Sequence, residues 1–431
     1  MLEDVERFNE WWTTGKVRKE LAPPFKRRLF RSVLEGLDDR QILILTGLRR
    51  VGKTTLLYQT IEHLLETLDP ERILYFSFED STAGPKEVME LYEKRILKKP
   101  LEEAGRVYAF FDEIQYARNW AATIKQFYDL YPNLKFFLSG SSSLLLSKEA
   151  LEKLAGRFFF LELKPLTFLE FLEMKGMNTE RLESSPRQVE TYFFDYLRKS
   201  GFPEIAGWEN EIKIVEYIRN SVVDRVVFKD VPLIFRSRDA VLLSQIVGAI
   251  LSRPGSIVNV NSLSRDLGKS KITVSNYLKF LETSLLIRSL SNFRPSFAAS
   301  SRKLKKFYPA TPSLIFSFSR ETFERNFGAV LETYVANVLD AHYYFREGKK
   351  EIDIILKNGS MLPVEVKENV SERDVELFSR LVRDVGAEKG IMVSLNQEMK
   401  RKDVEVLPAY FIERFGYSGR PELPAFAAHN P

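Results

Sequence analysis

Residues 41–165, which follow a polar lead-in of 40 residues, alternate between two hydrophobic patterns. Short runs that are almost wholly apolar are followed by stretches with apolar residues at helical spacing, such as 54–68 and 120–131. Wholly apolar strands that alternate with helices are typical of a parallel sheet covered by helices on both faces. The predicted strands are QILILT (41–46), RILYFSF (72–78), RVYAFFD (106–112) and KFFLSG (135–140).

The remainder of the 431 residues divides into further segments, in keeping with about 150 residues per domain. A mostly helical stretch comes first, then a small helical unit, a second α/β pattern and a Pro-rich tail that we expect to be frayed. The predicted boundaries are 1–165 for the first α/β domain with its lead-in, 166–235, 236–296, 297–420 and 421–431.

Composition narrows the chemistry. The absence of cysteine excludes disulfides and thiolate zinc sites, and three histidines argue against a His-rich metal cage or a Ser-His-Asp triad. Any metal should then have oxygen ligands, which favours magnesium or manganese. No apolar run approaches the roughly 20 residues of a membrane helix, and the N-terminus does not resemble a secretory signal. We therefore expect a cytoplasmic protein with no membrane partner.

A phosphate-binding pattern follows the first predicted strand. GLRRVGKT at 47–54 fits G-x-x-x-x-G-K-[ST], between a strand that ends at Thr46 and a helix that opens at Lys53. Glycines let backbone N–H groups close on phosphates, and the helix N-terminus adds the positive end of its dipole. Lys53 should reach the β- and γ-phosphates, and Thr54 should ligate magnesium. The predicted ATP-contacting residues are Gly47, Arg49, Arg50, Gly52, Lys53, Thr54 and Thr55. For Arg49 and Arg50, a neighbouring carboxylate is the alternative partner to the nucleotide phosphates.

An adjacent acidic pair follows the third predicted strand, in FFDEIQ. Asp112 is predicted to join Thr54 in the magnesium site, and Glu113 to act as the general base for the attacking water. Adjacent acids are also common on solvated loops. The apolar strand in front of this pair and the phosphate-binding pattern in the same chain favour the catalytic interpretation.

Two further motifs contain candidate polar groups. KFFLSGSSS places Ser139 and Ser141 at a strand end, where Ser141 could sense the γ-phosphate and position water, or the serines could form a helix N-cap or turn. Arg157, in LAGR, could stabilise the transition state, either in its own chain or across a subunit interface in a homo-oligomer. A surface salt bridge is the alternative.

These motifs together resemble a known group of proteins. FNEWWTTGKV, GLRRVGKTTLL, DEIQ, SGSSS, LAGR and PLTFLEF are similar to archaeal and bacterial AAA-type ATPases, over nearly the whole chain. The resemblance implies an α/β fold, the additional-strand P-loop ATPase, in which the SGSSS strand separates the DEIQ strand from the P-loop strand. It also implies that Lys53, Thr54, Asp112 and Glu113 match the ATP and magnesium residues.

The middle of the chain contains a helix-turn-helix pattern. A helix at 261–267, a turn at Gly268 and a helix at 270–284 are followed by LLIRSLSNF, which could supply the strands of a winged helix. The second helix should bury Val274, Tyr277, Leu278 and Leu281, and expose Lys269, Lys271, Asn276 and Lys279. Exposed polar residues there would contact DNA phosphates and bases. The alternative is a packing or lid module without DNA contact.

The C-terminal α/β pattern carries a second set of polar residues. Glu332 lies on an apolar helix, Asp353 in KEIDIIL, and Glu365 and Lys367 in LPVEVKE. The 12 residues from 353 to 365 suit a hairpin, in which alternation places the last three side chains on one face. Converging carboxylates bind magnesium or manganese, and a neighbouring lysine can activate water.

This arrangement resembles the PD-(D/E)xK nuclease fold. The resemblance implies that Glu332, Asp353 and Glu365 are metal ligands and that Lys367 is catalytic, with Ile352 in place of the usual proline. An ordinary hairpin with surface charges remains the alternative. Two functions follow: an ATPase that acts on DNA through a winged helix and a magnesium-dependent nuclease-like domain, or a nucleotide-dependent switch whose C-terminal domain is a non-catalytic docking module.

Overall fold

Segments that are distant in sequence combine into two units. The computed structural model describes residues 2–140, 152–237, 239–293, 304–358 and 360–417. The first unit combines Met1–Leu166, Gly201–Ser244 and Asn276–Leu286, and the second combines Thr167–Ser200, Gln245–Ser275 and Ile287–Pro431. No helix in these described ranges is both long enough and apolar enough to cross a bilayer.

The helices are numbered in chain order. They are α1 Leu2–Phe8, α2 Trp11–Thr14, α3 Phe30–Glu35, α4 Lys53–Leu64, α5 Pro85–Tyr92, α6 Trp120–Leu130, α7 Phe168–Met174, α8 Pro186–Lys199, α9 Glu211–Ile218, α10 Val231–Phe235, α11 Ala240–Ser252, α12 Val260–Asp266, α13 Lys271–Thr283, α14 Pro312–Phe318, α15 Arg320–Arg325, α16 Phe327–Val338, α17 Glu372–Asp384 and α18 Ile412–Tyr417. Turns of the wider π type at Arg219–Val223 and Val226–Asp230 connect α9 to α10.

The strands follow the same numbering. They are β1 Ile42–Thr46, β2 Ile73–Ser77, β3 Val107–Asp112, β4 Leu134–Ser139, β5 Phe158–Glu162, β6 Ile257–Val258, β7 Ile287–Asn292, β8 Lys305–Pro309, β9 Tyr343–Glu347, β10 Lys350–Asn358, β11 Ser360–Val366, β12 Gly390–Ser394, β13 Met399–Lys400 and β14 Val404–Pro408. The four strands predicted in the first domain correspond to β1 to β4.

The first unit contains a parallel sheet of five strands. Its order is β2-β3-β4-β1-β5, and all pairings are parallel. The residues of β1, β3 and β4 are buried throughout, as expected of strands covered on both faces. Strand β4 separates β3 from β1, so the predicted α/β fold and the strand order implied by the resemblance are confirmed. The carboxyl ends of these three strands meet at one edge of the sheet.

The aromatic lead-in covers the free side of β2, the outermost strand of this sheet. Strand β2 is an edge strand, so one row of its backbone groups has no strand partner. The indole N–H groups of Trp11 and Trp12 donate to the Ile73 carbonyl at 3.0 and 2.8 Å. Asn9 accepts from the Tyr75 N–H at 2.6 Å and donates to the Tyr75 carbonyl at 2.7 Å. These side chains replace a neighbouring strand.

The second unit contains a mixed sheet of nine strands. Its order is β13-β14-β12-β11-β10-β9-β7-β8-β6. The predicted hairpin is present as β10 and β11, which pair antiparallel with Ile354 opposite Val364. Strand β7 pairs antiparallel with β8 and lies parallel to β9. The strands on either side of the predicted boundary at residue 296 therefore share one sheet, a pairing that hydrophobic periodicity does not reveal.

Candidate functional site

The loop between β1 and α4 has the backbone geometry of a phosphate-binding loop. Gly47 and Gly52 have φ values of 153° and 101°, and Arg50 has a φ of 67°. A Cβ atom at Gly47 would lie 2.4 Å from the Leu163 carbonyl oxygen, so a side chain there would displace the loop. Backbone conformation thus favours glycine at both positions, and close packing requires it at Gly47.

Lys53 begins α4 and folds back over this loop. Its ammonium group lies 3.2 Å from the Gly47 carbonyl and 3.1 Å from the Leu48 carbonyl, and the residue is only 6% exposed. Thr54, the next residue, is exposed at the loop side of the helix. The helix N-terminus therefore presents an ammonium group and a hydroxyl group beside free backbone N–H donors, a combination that suits a polyphosphate.

Asp112 is the buried acid at the carboxyl edge of the sheet. It is 2% exposed, and its carboxylate accepts hydrogen bonds from three elements. Thr54 Oγ1 donates at 2.6 Å, the Tyr75 hydroxyl at 2.9 Å, and Ser139 Oγ donates to the other oxygen. Ser139 thus supports Asp112 directly. Ser141, the other serine candidate, lies outside the described residues.

Glu113 follows Asp112 in an unusual backbone conformation. Its φ of 50° and ψ of 43° are left-handed, and its N–H donates to Asp112 Oδ1 at 3.1 Å. Gln115 donates to the Glu113 carboxylate. Burial raises the pKa of Glu113, the negative charge of Asp112 adds to the rise, and Lys53 opposes it. A carboxylate with a raised pKa is a better proton acceptor near neutral pH.

The two arginines of the loop have acidic partners. Arg49 donates to Glu79 at 2.9 Å and to Asp230 at 3.1 Å. Burial alone would lower the pKa of Arg49, but the bonds to Asp230 and Glu79 outweigh burial and raise it. Arg50 lies 3.5 Å from Glu204 in a more exposed position. Sequence reasoning had left the identity of these carboxylates open.

Arg157 lies at the other end of the sheet from the loop. It precedes β5, which pairs with β1 so that Ile42 is opposite Phe158. The loop follows the carboxyl end of β1, five residues further on, a separation of about 16 Å at 3.3 Å per residue. Arg157 Nε instead lies 2.9 Å from Asp129. Arg157 therefore does not join the nucleotide site of its own chain, and a role across a subunit interface stays a prediction.

In the second unit, the predicted acidic residues surround a lysine. The ammonium group of Lys306, on β8, lies 3.1 Å from Glu332, 3.0 Å from Glu351 and 3.1 Å from Asp353. Its side chain is 4% exposed. The Tyr308 hydroxyl, two residues along the same strand, donates to Glu332 at 2.5 Å. One protein cation thus satisfies three carboxylates.

The other two predicted residues are arranged differently. Glu365 Oε2 accepts from the Asp353 N–H at 3.4 Å, which places it beside the cluster. Burial and the charge of Asp353 raise the pKa of Glu365 to about 9, and the same two causes raise that of Glu332 to about 7. Lys367 forms its ion pair with Asp374, and its positive charge also lowers the pKa of Glu365 against the two larger effects.

These contacts do not support the predicted metal site. Within the described ranges, no group of three or more acidic or histidine side chains is arranged to hold a metal ion. Glu332, Asp353 and Glu365 were predicted to bind magnesium or manganese, but the prediction did not consider Lys306. The ammonium group of Lys306 lies 3.1 Å from both Glu332 and Asp353. A divalent ion at the same place would meet a positive charge at contact distance, which costs several kcal/mol.

The helix-turn-helix elements have the predicted faces. Helices α12 and α13 begin and end within one residue of the prediction. The predicted apolar positions Val274, Tyr277, Leu278 and Leu281 are buried. The predicted polar positions Lys269, Lys271, Asn276 and Lys279 are exposed.

Several residues of these sites escaped sequence reasoning, and Tyr75, Lys306 and Asp230 illustrate why. The position of Tyr75 could have been predicted from the alternation of side chains along strand β2, which puts Tyr75 on the same face of the sheet as Asp112. Lys306 could have been suspected, because a lysine in a strand of buried residues needs a partner. Asp230 has no local signal, since it lies 181 residues from Arg49 and meets it only in the folded chain.

The geometry defines a P-loop ATPase domain, and comparison with known proteins refines the class. Residues 39–172 match the AAA domain family. Residues 190–323 match a domain of unknown function, DUF8612, and residues 327–412 match another, DUF4143. The match and the strand order together show that residues 39–172 have the fold of an AAA domain.

Related proteins span most of the chain. An uncharacterized protein of Methanocaldococcus jannaschii is 29% identical over 374 residues, which are 82% of each chain. An uncharacterized protein of Haemophilus influenzae is 26% identical over 61% of this chain and 65% of its own. The Orc1 protein of Aeropyrum pernix, solved in complex with DNA, has a TM-score of 0.34 and 15% identity over 72% of this chain and 97% of its own. A score this low establishes no common overall fold.

The position of Arg157 yields a first prediction. Replacement of Arg157 by alanine should leave ATP affinity unchanged, because its partner Asp129 lies at the amino edge of the sheet. Titration of a fluorescent ATP analogue under conditions where the protein is dilute measures this. Lys53→Ala, which removes the cation of the loop, should abolish binding in the same assay. A comparable loss in Arg157→Ala would contradict the placement.

Proposed function

We propose that this chain binds and hydrolyses ATP at the carboxyl edge of the five-stranded sheet. The observation that carries the proposal is the contact between Thr54 and Asp112, which joins the phosphate loop to the acidic strand end. A hydroxyl and a carboxylate in contact beside a helix N-terminus are the oxygen ligands that magnesium–ATP requires. Bound magnesium supplies positive charge that offsets the charge of the phosphates.

The remaining groups bind and orient the substrate. Backbone N–H groups of the loop and the Lys53 ammonium hold the β- and γ-phosphates. Glu113 accepts the proton of the attacking water, and Gln115 fixes the orientation of that carboxylate. The raised pKa of Glu113 matches this role, since a carboxylate of ordinary pKa is a weak base.

The general base provides the direct test. Glu113→Gln should bind ATP as the parent does and hydrolyse it about a hundredfold to ten-thousandfold more slowly, because the amide cannot accept the proton. Phosphate release measures turnover, and equilibrium titration measures binding. Glu102→Gln, an exposed acid near the amino edge of β3, serves as the matched control. Turnover by Glu113→Gln equal to that of the control would refute the assignment.

We also propose that helix α13 contacts DNA. Its exposed face carries Lys271, Asn276 and Lys279, at the spacing of a recognition helix. The net charge of +5 is compatible with a polyanionic partner. Contact with phosphate would make binding strongly dependent on salt.

Salt dependence gives the test of DNA contact. Lys271→Ala combined with Lys279→Ala should weaken duplex binding and reduce the slope of log affinity against log salt by about 1 for each lost phosphate contact. Fluorescence anisotropy with labelled duplex over a salt series measures both. Lys213→Ala, an exposed lysine on α9, is the control. An unchanged slope in the double variant would favour the packing-module interpretation of this helix.

For the C-terminal domain, we propose a non-catalytic docking module that serves a nucleotide-dependent switch. The specific observation is Lys306, whose ammonium group satisfies Glu332, Glu351 and Asp353. With Lys367 engaged by Asp374, the lysine that a nuclease would need is also paired. Magnesium-dependent cleavage of DNA is the competing function.

Removal of the lysine charge separates these two functions. Lys306→Met should create affinity for Mn²⁺ that the parent lacks, because the acids lose their protein cation, and Mn²⁺ should then raise the melting temperature of this variant alone. Lys350→Met, which removes an exposed lysine paired with Asp384, is the matched control. If the parent itself binds Mn²⁺ and loses it in Asp353→Asn, or cleaves DNA with Mn²⁺, the docking proposal is wrong.

A further inference from the structure

The acidic partners of Arg49 form a cluster that ATP binding and hydrolysis do not by themselves explain. The guanidinium group is almost enclosed, and it donates to Glu79, to Asp230 and, at 3.3 Å, to the Tyr116 hydroxyl. Lys229 lies 3.2 Å from Glu79 and 5.4 Å from the Tyr116 ring centre. Two carboxylates therefore hold a cation that projects from the phosphate loop itself.

Asp230 touches both halves of the nucleotide site. Besides Arg49 of the loop, it accepts a hydrogen bond of 2.9 Å from the Tyr116 hydroxyl. Tyr116 lies three residues after Glu113, in the turn that positions the general base. The charge of Arg49 also reaches Glu113, since it lowers the pKa of that carboxyl against the effect of burial. Movement of Asp230 would thus change the surroundings of Arg49 in the phosphate loop and of Tyr116 beside Glu113.

The segment that carries Asp230 departs from regular α-helical geometry. Asp230 ends the π-type turn Val226–Asp230, which follows a similar turn at Arg219–Val223. Such turns are rare and often lie at functional positions. Their hydrogen bonds join residues five apart in sequence, instead of four apart as in the α-helix. Helix α10 follows directly and ends at Arg236 in a left-handed conformation, with a φ of 51°. Its last residue, Phe235, stacks on Phe280 at 4.2 Å between ring centres and 12° between planes.

These contacts connect the phosphate loop to the helix-turn-helix. Phe280 belongs to α13 and is adjacent in sequence to Lys279 of its exposed face. The physical path runs from Arg49 to Asp230, along α10 to Phe235, and across one aromatic stack to Phe280. Each step is a direct contact or a single helix, so a shift at the first position has a short route to the last.

The phosphates of ATP and the carboxylate of Asp230 are competitors for Arg49. Arginine forms bidentate bonds with either anion, and the polyphosphate brings more negative charge than a carboxylate. Phosphate at the loop would also repel Asp230 and Glu79. We propose that Asp230 is a positioning residue that competes with ATP for Arg49, so that ATP binding releases the segment 226–235 and changes the environment of Phe280. This inference rests on the proposed binding of ATP at the loop.

If Asp230 competes with ATP for Arg49, removal of the Asp230 charge should raise the affinity for ATP. A purely structural role of Asp230 predicts no such rise. Asp230→Asn keeps the shape of the side chain and removes its charge, so Arg49 is freed for phosphate and ATP affinity should rise severalfold. If Asp230 instead holds Arg49 in the orientation that ATP needs, the same change should lower affinity. Asp224→Asn, on the same helical segment, is the matched control.

Hydrogen exchange on the full-length protein tests the second part of the inference, that ATP binding releases the segment 226–235. In the Glu113→Gln background, which retains ATP, nucleotide should increase exchange in peptides covering 226–235 and 276–284 severalfold over the protein without nucleotide. In Asp230→Asn these peptides should exchange at the raised level without ATP and change little on its addition. The control Asp224→Asn should respond as the parent does.

The outcomes are distinguishable. Failure of the parent to bind ATP would overturn the proposed function, and this inference with it. Normal ATP binding with no change in exchange at 226–235 would overturn the inference alone, as would reduced ATP affinity in Asp230→Asn. If Asp230→Asn unfolds, as judged by its melting temperature, Tyr116→Phe removes one of the donors to Asp230 and should shift exchange and affinity in the same directions. The absence of both shifts in that folded variant would also overturn it.

Discussion

The buried carboxylate of Asp112 is the constraint on which the nucleotide site depends. An ionised group that is withdrawn from water costs several kcal/mol unless donors surround it. Here the donors come from α4, β2 and β4, through Thr54, Tyr75 and Ser139. Satisfaction of one carboxylate therefore aligns three segments at the sheet edge. The Tyr75 N–H donates to Asn9, so the lead-in that closes the sheet edge also supports Asp112.

How far sequence predicted this site depends on the range of each interaction. The phosphate loop and the acidic pair were predictable because each is a contiguous pattern beside a strand. The position of Arg157 could also have been worked out: a residue that precedes a parallel strand lies at the amino edge, away from the loop. Asp230 could not, because its distance from Arg49 is set by the path of a helical segment that no local pattern encodes.

The C-terminal cluster illustrates a different limit of pattern reasoning. Strand alternation and the hairpin predicted that Asp353, Glu365 and Lys367 share one face, and the resemblance to the nuclease fold implied that Glu332 joins them. In the structure the Asp353 N–H donates to Glu365, whereas Lys367 pairs with Asp374. Converging acids are equally consistent with a metal ion and with a protein cation, because either positive charge offsets the repulsion between the carboxylates. The outcome depends on Lys306, which reaches the acids through the pairing of β8 with β7 and of β7 with β9. Neither pairing is visible in the spacing of the acids.

The two clusters share a design and differ in the ligand that can disturb them. In each, a basic side chain with little exposure binds several carboxylates: Arg49 in the first unit and Lys306 in the second. Arg49 projects from the loop at which we propose that ATP binds, so the competing ligand there would be an anion that attracts the cation and repels the acids. Lys306 is held by acids on a sheet, so a competitor must be another cation and must first displace the lysine. On the proposals above, the same chemistry would make the first cluster responsive to nucleotide and the second resistant to metal.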